Sequence, residues 1–289
     1  MLRRDEIRIR DPFVVPVQNE GLYYYLYGTT DENVWQGPGV GFDVFRSRDL
    51  ESWEGPFPAF RPEPGFWADR HFWAPEVHLY EGRYYMFASF KSEERSRGTQ
   101  ILASDSPLGP FVPLTGGPVT PAQWECLDGT LYLDEEGAPW MIFCREWLQV
   151  HDGEMYAVRL TRDLRGTEGE PLLLFRASEA PWTRHAREET DYVTDGPFLH
   201  RTESGELVML WSSIGDKGYA IGLARSASGR IEGPWVHDAE RLLEEDGGHG
   251  MLFRAFGGEW MLTIHAPNRT PNERPVFYPV KELRASGLL

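Results

Sequence analysis

The feature that most constrains this chain is an internal repeat that recurs five times along its length. Each unit opens on an apolar run carrying a polar residue, passes through a tight turn and returns on a second apolar run. The pairs of runs lie at residues 9–15 and 23–27, 74–80 and 84–88, 127–133 and 139–143, 195–199 and 207–211, and 249–253 and 260–264. Short runs of aromatic and branched residues about a Gly-bearing turn predict β-hairpins. A third strand is expected at 44–47, 101–104, 157–160 and 221–225, and three units close on similar turns at Gly55-Pro56, Gly109-Pro110 and Gly233-Pro234. The spacing, roughly 50–70 residues, is near the upper end for one propeller blade. No segment carries the pattern of an amphipathic helix of usual length. The expected fold is therefore all-β, a five-bladed β-propeller. A β-sandwich would leave the repeated opening of every unit unaccounted for. The units run end to end, so residues 1–289 are expected to form a single domain, with 177–190 as a long charged loop between the third and fourth blades.

Charge narrows the partners. With 45 acidic and 29 basic residues the formal net charge is -16. Such a field repels phosphate backbones and anionic lipid, so nucleic acid and membrane surfaces are poor candidates, whereas a neutral ligand is not disfavoured. No signal peptide or membrane-spanning run is visible, and a cytoplasmic location is expected. Cys126 and Cys144 are the only cysteines and flank one predicted hairpin. Two buried free thiols are expected rather than a disulfide.

The polar residues that open the units are Asp11, Glu76, Asp128, Asp195 and His249. The first strand of a propeller blade lines the central channel, so these openings converge on one mouth. A ring of carboxylates there suits glycosidic cleavage, which needs one acid for the leaving oxygen and one base for water. A third carboxylate nearby raises the acid's pKa by like-charge repulsion. One Asp beside Pro or Gly is ordinarily a turn residue; three at matching repeat positions favour chemistry. Glu76 reads as structural support.

The segments Arg10-Asp11-Pro12, Trp73-Ala74-Pro75-Glu76, Leu127-Asp128-Gly129, Asp195-Gly196-Pro197-Phe198 and Gly248-His249-Gly250 together resemble glycoside hydrolase family 43. The likeness runs through all five units. It implies an inverting enzyme acting on arabinose- or xylose-containing glycans, with a small oligosaccharide as partner. By that resemblance Asp11 is the general base, Asp128 tunes and orients the acid, and Asp195 is the acid. The family ordinarily carries Glu where this chain has Asp195, one methylene shorter. Glu146, in Cys144-Arg145-Glu146-Trp147, is the substitute candidate, and repeat position favours Asp195. The Glu125-Cys126 pair resembles the acid motif of family 32, whose opening motif is absent here, and is set aside. His249 resembles a histidine that in some members holds a cation such as Ca²⁺, or its waters, in the channel; no cofactor is required.

Sugar recognition needs flat apolar faces and hydrogen bonders. Trp73 is the stacking candidate, Arg70, His71 and Asp69 are candidates for sugar hydroxyls, and Arg254 and His265 are further pocket candidates. No Cys/His cluster with zinc spacing and no phosphate-binding Gly-rich loop is present. The activity expected is exo-acting, of the α-L-arabinofuranosidase or β-xylosidase type. The alternatives are an endo-arabinanase, a sugar phosphorylase and a catalytically silent carbohydrate-binding propeller.

Overall fold

A strand such as Tyr24-Tyr25-Leu26-Tyr27 has no polar face, so both of its faces must be covered. The computed structural model, described over residues 1–18, 21–283 and 287–288, shows how. Five antiparallel sheets follow one another in chain order. Blade one contains β1 (Leu2–Arg3), β2 (Arg10–Val17), β3 (Tyr23–Thr29), β4 (Phe42–Ser47) and β5 (Ser52–Phe60). Blade two contains β6 (Arg70–Tyr80), β7 (Arg83–Lys91), β8 (Gly98–Ser104) and β9 (Val112–Pro113). Blade three contains β10 (Cys126–Leu133), β11 (Pro139–Arg145), β12 (Glu154–Leu160) and β13 (Thr167–Arg176). Blade four contains β14 (Asp195–Arg201), β15 (Leu207–Gly215), β16 (Gly218–Ser226) and β17 (Trp235–His237), and blade five contains β18 (Gly248–Arg254), β19 (Trp260–Ala266) and β20 (Arg274–Pro279). The five predicted hairpins are the first two long strands of each blade. The fold is a five-bladed β-propeller.

The second long strand of each blade sends alternate side chains to two different cores. In β3, Tyr25 and Tyr27 pack toward blade two, while Tyr24 and Leu26 pack toward blade five. In β11, Met141 and Phe143 face blade two, and Ile142 and Cys144 face blade four. In β15, Met209 and Trp211 face blade three, and Val208 and Leu210 face blade five. Every blade is thus sandwiched between neighbours, which is why the middle strands are apolar throughout. Blades one and five close the ring through a shared apolar core and the Arg10–Glu273 ion pair at 2.7 Å. β1 pairs with β5 inside its own blade and does not bridge the closure.

The stretch 177–190 is not wholly a solvated loop. It contains a short 3-10 turn, Ala177–Glu179, and the fully buried Trp182. A Cβ on Gly222 would lie 2.2 Å from the Trp182 ring, so only glycine fits opposite it. Cys126 and Cys144 are both free and buried.

Every inner strand breaks its ladder at the same place. Pairing lapses between Arg10 and Phe13, Trp73 and Glu76, Leu127 and Thr130, Asp195 and Phe198, and Gly248 and Met251. The second residue of each break is left-handed: Asp11 (φ 52°), Ala74 (45°), Asp128 (54°), Gly196 (51°) and His249 (52°). This corrects the expected equivalence of the polar openers. Asp195 sits one residue before the left-handed position and Glu76 two after it. A non-glycine residue in this conformation costs roughly 1–2 kcal/mol, a strain that concentrates at functional sites.

Candidate active site

The starting ends of the inner strands surround a cavity of about 690 Å³, lined by Arg10, Asp11, Asp128, Asp195, Tyr219 and His249 among others. Its walls include Trp35, Trp73, Arg97, Glu146 and Trp147. Asp11 and Asp128 are buried and Asp195 is half-buried, and their surroundings drive the three apart in charge.

Asp11 accepts from Thr29 Oγ1 at 2.7 Å and lies 3.2 Å from His249 Nδ1. Burial opposes its ionisation, but the charge and hydrogen bond of His249, and then the charge of Arg10, outweigh that and hold its carboxyl well below the usual range. Asp128 and Asp195 go the other way. Burial, and then the repulsion of neighbouring carboxylates, raises Asp128 to about 6 despite His249. Burial and the charge of Asp128 raise Asp195 to about 7. The Asp128 carboxylate accepts from the Gly196 N–H at 2.9 Å, and Asp195 Oδ2 accepts from the Tyr219 hydroxyl at 3.0 Å. One cavity therefore holds an ionised carboxylate and a carboxyl that keeps its proton near neutral pH, the division of labour that acid–base catalysis needs.

His249 is the central cation. Burial disfavours its charge, but Asp11, Asp128 and Glu76 outweigh burial and raise it to about 10. Nδ1 lies 3.2 Å from Asp11 and 3.7 Å from Asp128, and Nε2 faces Glu76 at 4.0 Å. A metal ion could take His249 as a direct ligand only by displacing its proton. Among the described residues no set of three or more His, Cys, Asp or Glu side chains is arranged to hold a metal ion. Glu76 lies 3.3 Å from His78 and 4.0 Å from His249, consistent with a supporting role.

Glu146 follows β11 and is joined to the buried Arg97 by an ion pair. Arg97 also bonds His71 Nδ1 at 2.9 Å and lies over the Trp73 ring at 4.2 Å. His71 stacks on Trp73 at 4.4 Å, and burial and then Arg97 lower it to about 4, so its ring is neutral. Trp73 thus lines the cavity but already carries the protein's own groups against its ring, and the other aromatic walls, Trp35 and Trp147, each carry an arginine, Arg10 at 5.0 Å and Arg187 at 5.1 Å.

Four expected pocket residues, Asp69, Arg70, Arg254 and His265, lie outside this lining. Arg70 pairs with Asp69 and borders a shallower depression with Gln36 and Lys91. Arg254 is exposed at the far end of β18, five residues and thus roughly 17 Å from His249, and donates to the Gly258 carbonyl. His265 is fully buried behind Asp11: its Nδ1 accepts the Asp11 N–H at 3.1 Å and its Nε2 faces Asn268 Oδ1 at 3.2 Å. Burial and then Arg10 lower it to about 3, which keeps it a neutral acceptor. Arg97, Tyr219, Asn268 and Thr29 were not anticipated as site residues. They come from second strands, third strands and loops, where no repeated position marks them.

The His249 environment predicts a pH effect on stability. Its folded pKa is raised, so its contribution is complete below about 6.5 and is lost as pH rises through about 10. Asp128 and Asp195, raised to about 6 and 7, lose their contributions lower, between about pH 4 and 7. Between about pH 8 and 8.5, above the titration of His71 and His265 in the unfolded chain and below that of its thiols, stability should fall by about 1.4 kcal/mol per pH unit. Calorimetry of the protein and of His249→Gln checks this; an equal slope in both would rule out His249 as the source.

With this geometry in place, comparison with known proteins is informative. Residues 6–285 match the family profile of glycosyl hydrolases family 43. The chain is similar to the structure of an endo-arabinase from Bacteroides thetaiotaomicron VPI-5482, with 47% identity, a TM-score of 0.89 and 96% of each chain covered. It is 23% identical to the extracellular exo-α-(1→5)-L-arabinofuranosidase of Cellvibrio japonicus, over 84% of this chain and 70% of that one. It is 22% identical to the extracellular endo-α-(1→5)-L-arabinanase 1 of Bacillus subtilis, over 83% of this chain and 71% of that one. No helix among the described residues is long and apolar enough to cross a membrane.

Proposed function

This chain belongs to glycosyl hydrolases family 43 and is a glycoside hydrolase, and from that premise we propose that it releases terminal L-arabinofuranose from short α-(1→5)-linked arabinan oligosaccharides, with inversion. The observation that carries the reading is the opposite protonation of Asp11 and Asp195 within one cavity. The choice of arabinan is supported by the arabinan-directed names of the three relatives above. A cavity of 690 Å³ falls within the range of small-ligand sites, roughly 300–1,000 Å³.

In the proposed reaction Asp195 gives its proton to the leaving glycosidic oxygen as the C1–O bond breaks. A water on the opposite face bonds to C1 and passes a proton to Asp11. The cations that keep Asp11 ionised also weaken it as a base. Its proton transfer is therefore late, occurring as water becomes acidic on bonding to an oxocarbenium-like centre. Exchange with solvent returns both groups to their starting states. A phosphorylase would need cations free for phosphate; Arg10, Arg97 and His249 are committed to Glu273, Glu146 and Asp11, which leaves Arg187, over the Trp147 ring at 5.1 Å, as a cavity cation for that alternative.

The 47% identity to an endo-arabinase favours a second reading, internal cleavage. Product analysis on an arabino-oligosaccharide separates the two. Exo action gives arabinose from the first turnovers, whereas endo action gives shorter oligomers. Proton NMR of the first-formed sugar should show the inverted anomer; a retained anomer would overturn the roles of Asp11 and Asp195.

A further inference from the structure

Opposite each left-handed residue, the second strand of the preceding blade presents one side chain. The ladder partners of Arg10, Trp73, Leu127, Asp195 and Gly248 are Thr29, Ser89, Cys144, Ser212 and His265. Four of these accept the N–H of the next blade's left-handed residue. Thr29 Oγ1 accepts from Ala74 at 2.8 Å, Ser89 Oγ from Asp128 at 3.0 Å, Ser212 Oγ from His249 at 2.8 Å, and His265 Nδ1 from Asp11 at 3.1 Å. This blade-to-blade ring departs from its rule once. At the remaining place stands Cys144, whose Sγ faces Met155 Sδ at 3.8 Å, and the Gly196 N–H goes to Asp128 Oδ2 instead.

We propose that Cys144 is a positioning residue: by placing a poor acceptor opposite Gly196 it leaves that N–H to Asp128, and so decides which of two neighbouring carboxyls carries their shared proton. The inference rests on the acid–base reading above. A thiol sulfur is a weak acceptor and a hydroxyl a good one. An N–H donated to a carboxylate favours its charged form. The Gly196 N–H therefore keeps Asp128 the more acidic of the pair and leaves the proton on Asp195. The other groups that act on the pair are Asp11 from β2, Glu76 from β6, Tyr219 from β16 and His249 from β18, with Arg10 acting on Tyr219. None of them is altered by a change at Cys144.

Cys144→Ser restores the hydroxyl that the ring carries elsewhere and should draw the Gly196 N–H away. If Asp128 then rises by about 1.5 pH units, the share of the proton on Asp195 falls from about nine-tenths to about one-quarter. The pair as a whole holds its proton more tightly. The plateau of kcat/KM on an arabino-oligosaccharide should fall about three- to fivefold while its alkaline limb moves up by about half a pH unit. General loosening of the site would lower the plateau without that upward shift. Cys144→Ala offers no acceptor and should keep the limb at the wild-type pH, whatever it costs in melting temperature. A wild-type limb in Cys144→Ser, or an equal shift in Cys144→Ala, would overturn the inference. An NMR titration needs no substrate and no variant: the Gly196 amide proton of the wild-type protein should follow the ionisation of the pair. If it is indifferent to pH, the role of Cys144 fails. If it titrates in a protein that cleaves no arabinan, the inference stands and the proposed substrate fails.

Discussion

Asp11→Asn is expected to lower turnover by at least about 10²–10⁴ while leaving the propeller folded. An amide keeps the shape of the side chain but cannot take a proton from water. It also removes the anion 3.2 Å from His249 Nδ1. Breaking a buried pair from one side typically costs about 3–5 kcal/mol. The cost here should be smaller, because Asp128 at 3.7 Å remains as a counter-charge and His249 can release its proton. The expected result is a folded protein with a lower melting temperature and almost no hydrolysis. Thermal melting and turnover belong in the same experiment, and a variant that keeps more than a tenth of wild-type turnover would remove Asp11 as the base.

Asp195→Ala should separate substrates by their leaving groups. A natural oligosaccharide needs a proton on its departing oxygen, while an aryl arabinofuranoside with an acidic phenol needs little. Loss of the acid should therefore cost about 10²–10⁴ on the oligosaccharide and far less on the aryl substrate. Glu146→Ala should not show this split. Glu146 is clamped by Arg97, and removing it leaves a guanidinium without its partner at 3% exposure beside His71 and Trp73. Binding of both substrates should suffer together, chiefly through KM. If Glu146→Ala alone spares the aryl substrate, the acid is Glu146 and Asp195 is a binding residue.

The five blades were legible because a hairpin sandwiched between two neighbours writes itself as two apolar runs about a glycine turn, whatever the rest of the chain does. Asp11, Asp128, Asp195 and His249 were legible as cavity residues because the inner strands begin there, and Glu146 as a carboxylate just past the end of a second strand. The register was not. Lining up the units by their polar residues matched Asp195 and Glu76 to Asp11, whereas the ladder breaks align Gly196 and Ala74 with it. Asp, Ala, Gly and His all occupy that left-handed position, so residue type carries little trace of it. Arg254 was misplaced because sequence proximity to His249 conceals the length of an extended strand.

Sequence alone thus determined the architecture and which carboxylates share a cavity, since strand period and repeat order are local properties of the chain. Only the tertiary structure decided what each carboxylate is. Asp11, Asp128 and Asp195 are one residue type, and their proton affinities diverge because other blades bring His249 to the first, beside its own chain neighbour Arg10, the Gly196 N–H to the second, and the charge of Asp128 to the third. Those are contacts between residues as much as 238 positions apart, and charge at such distances along the chain matters only once folding has removed the water between them.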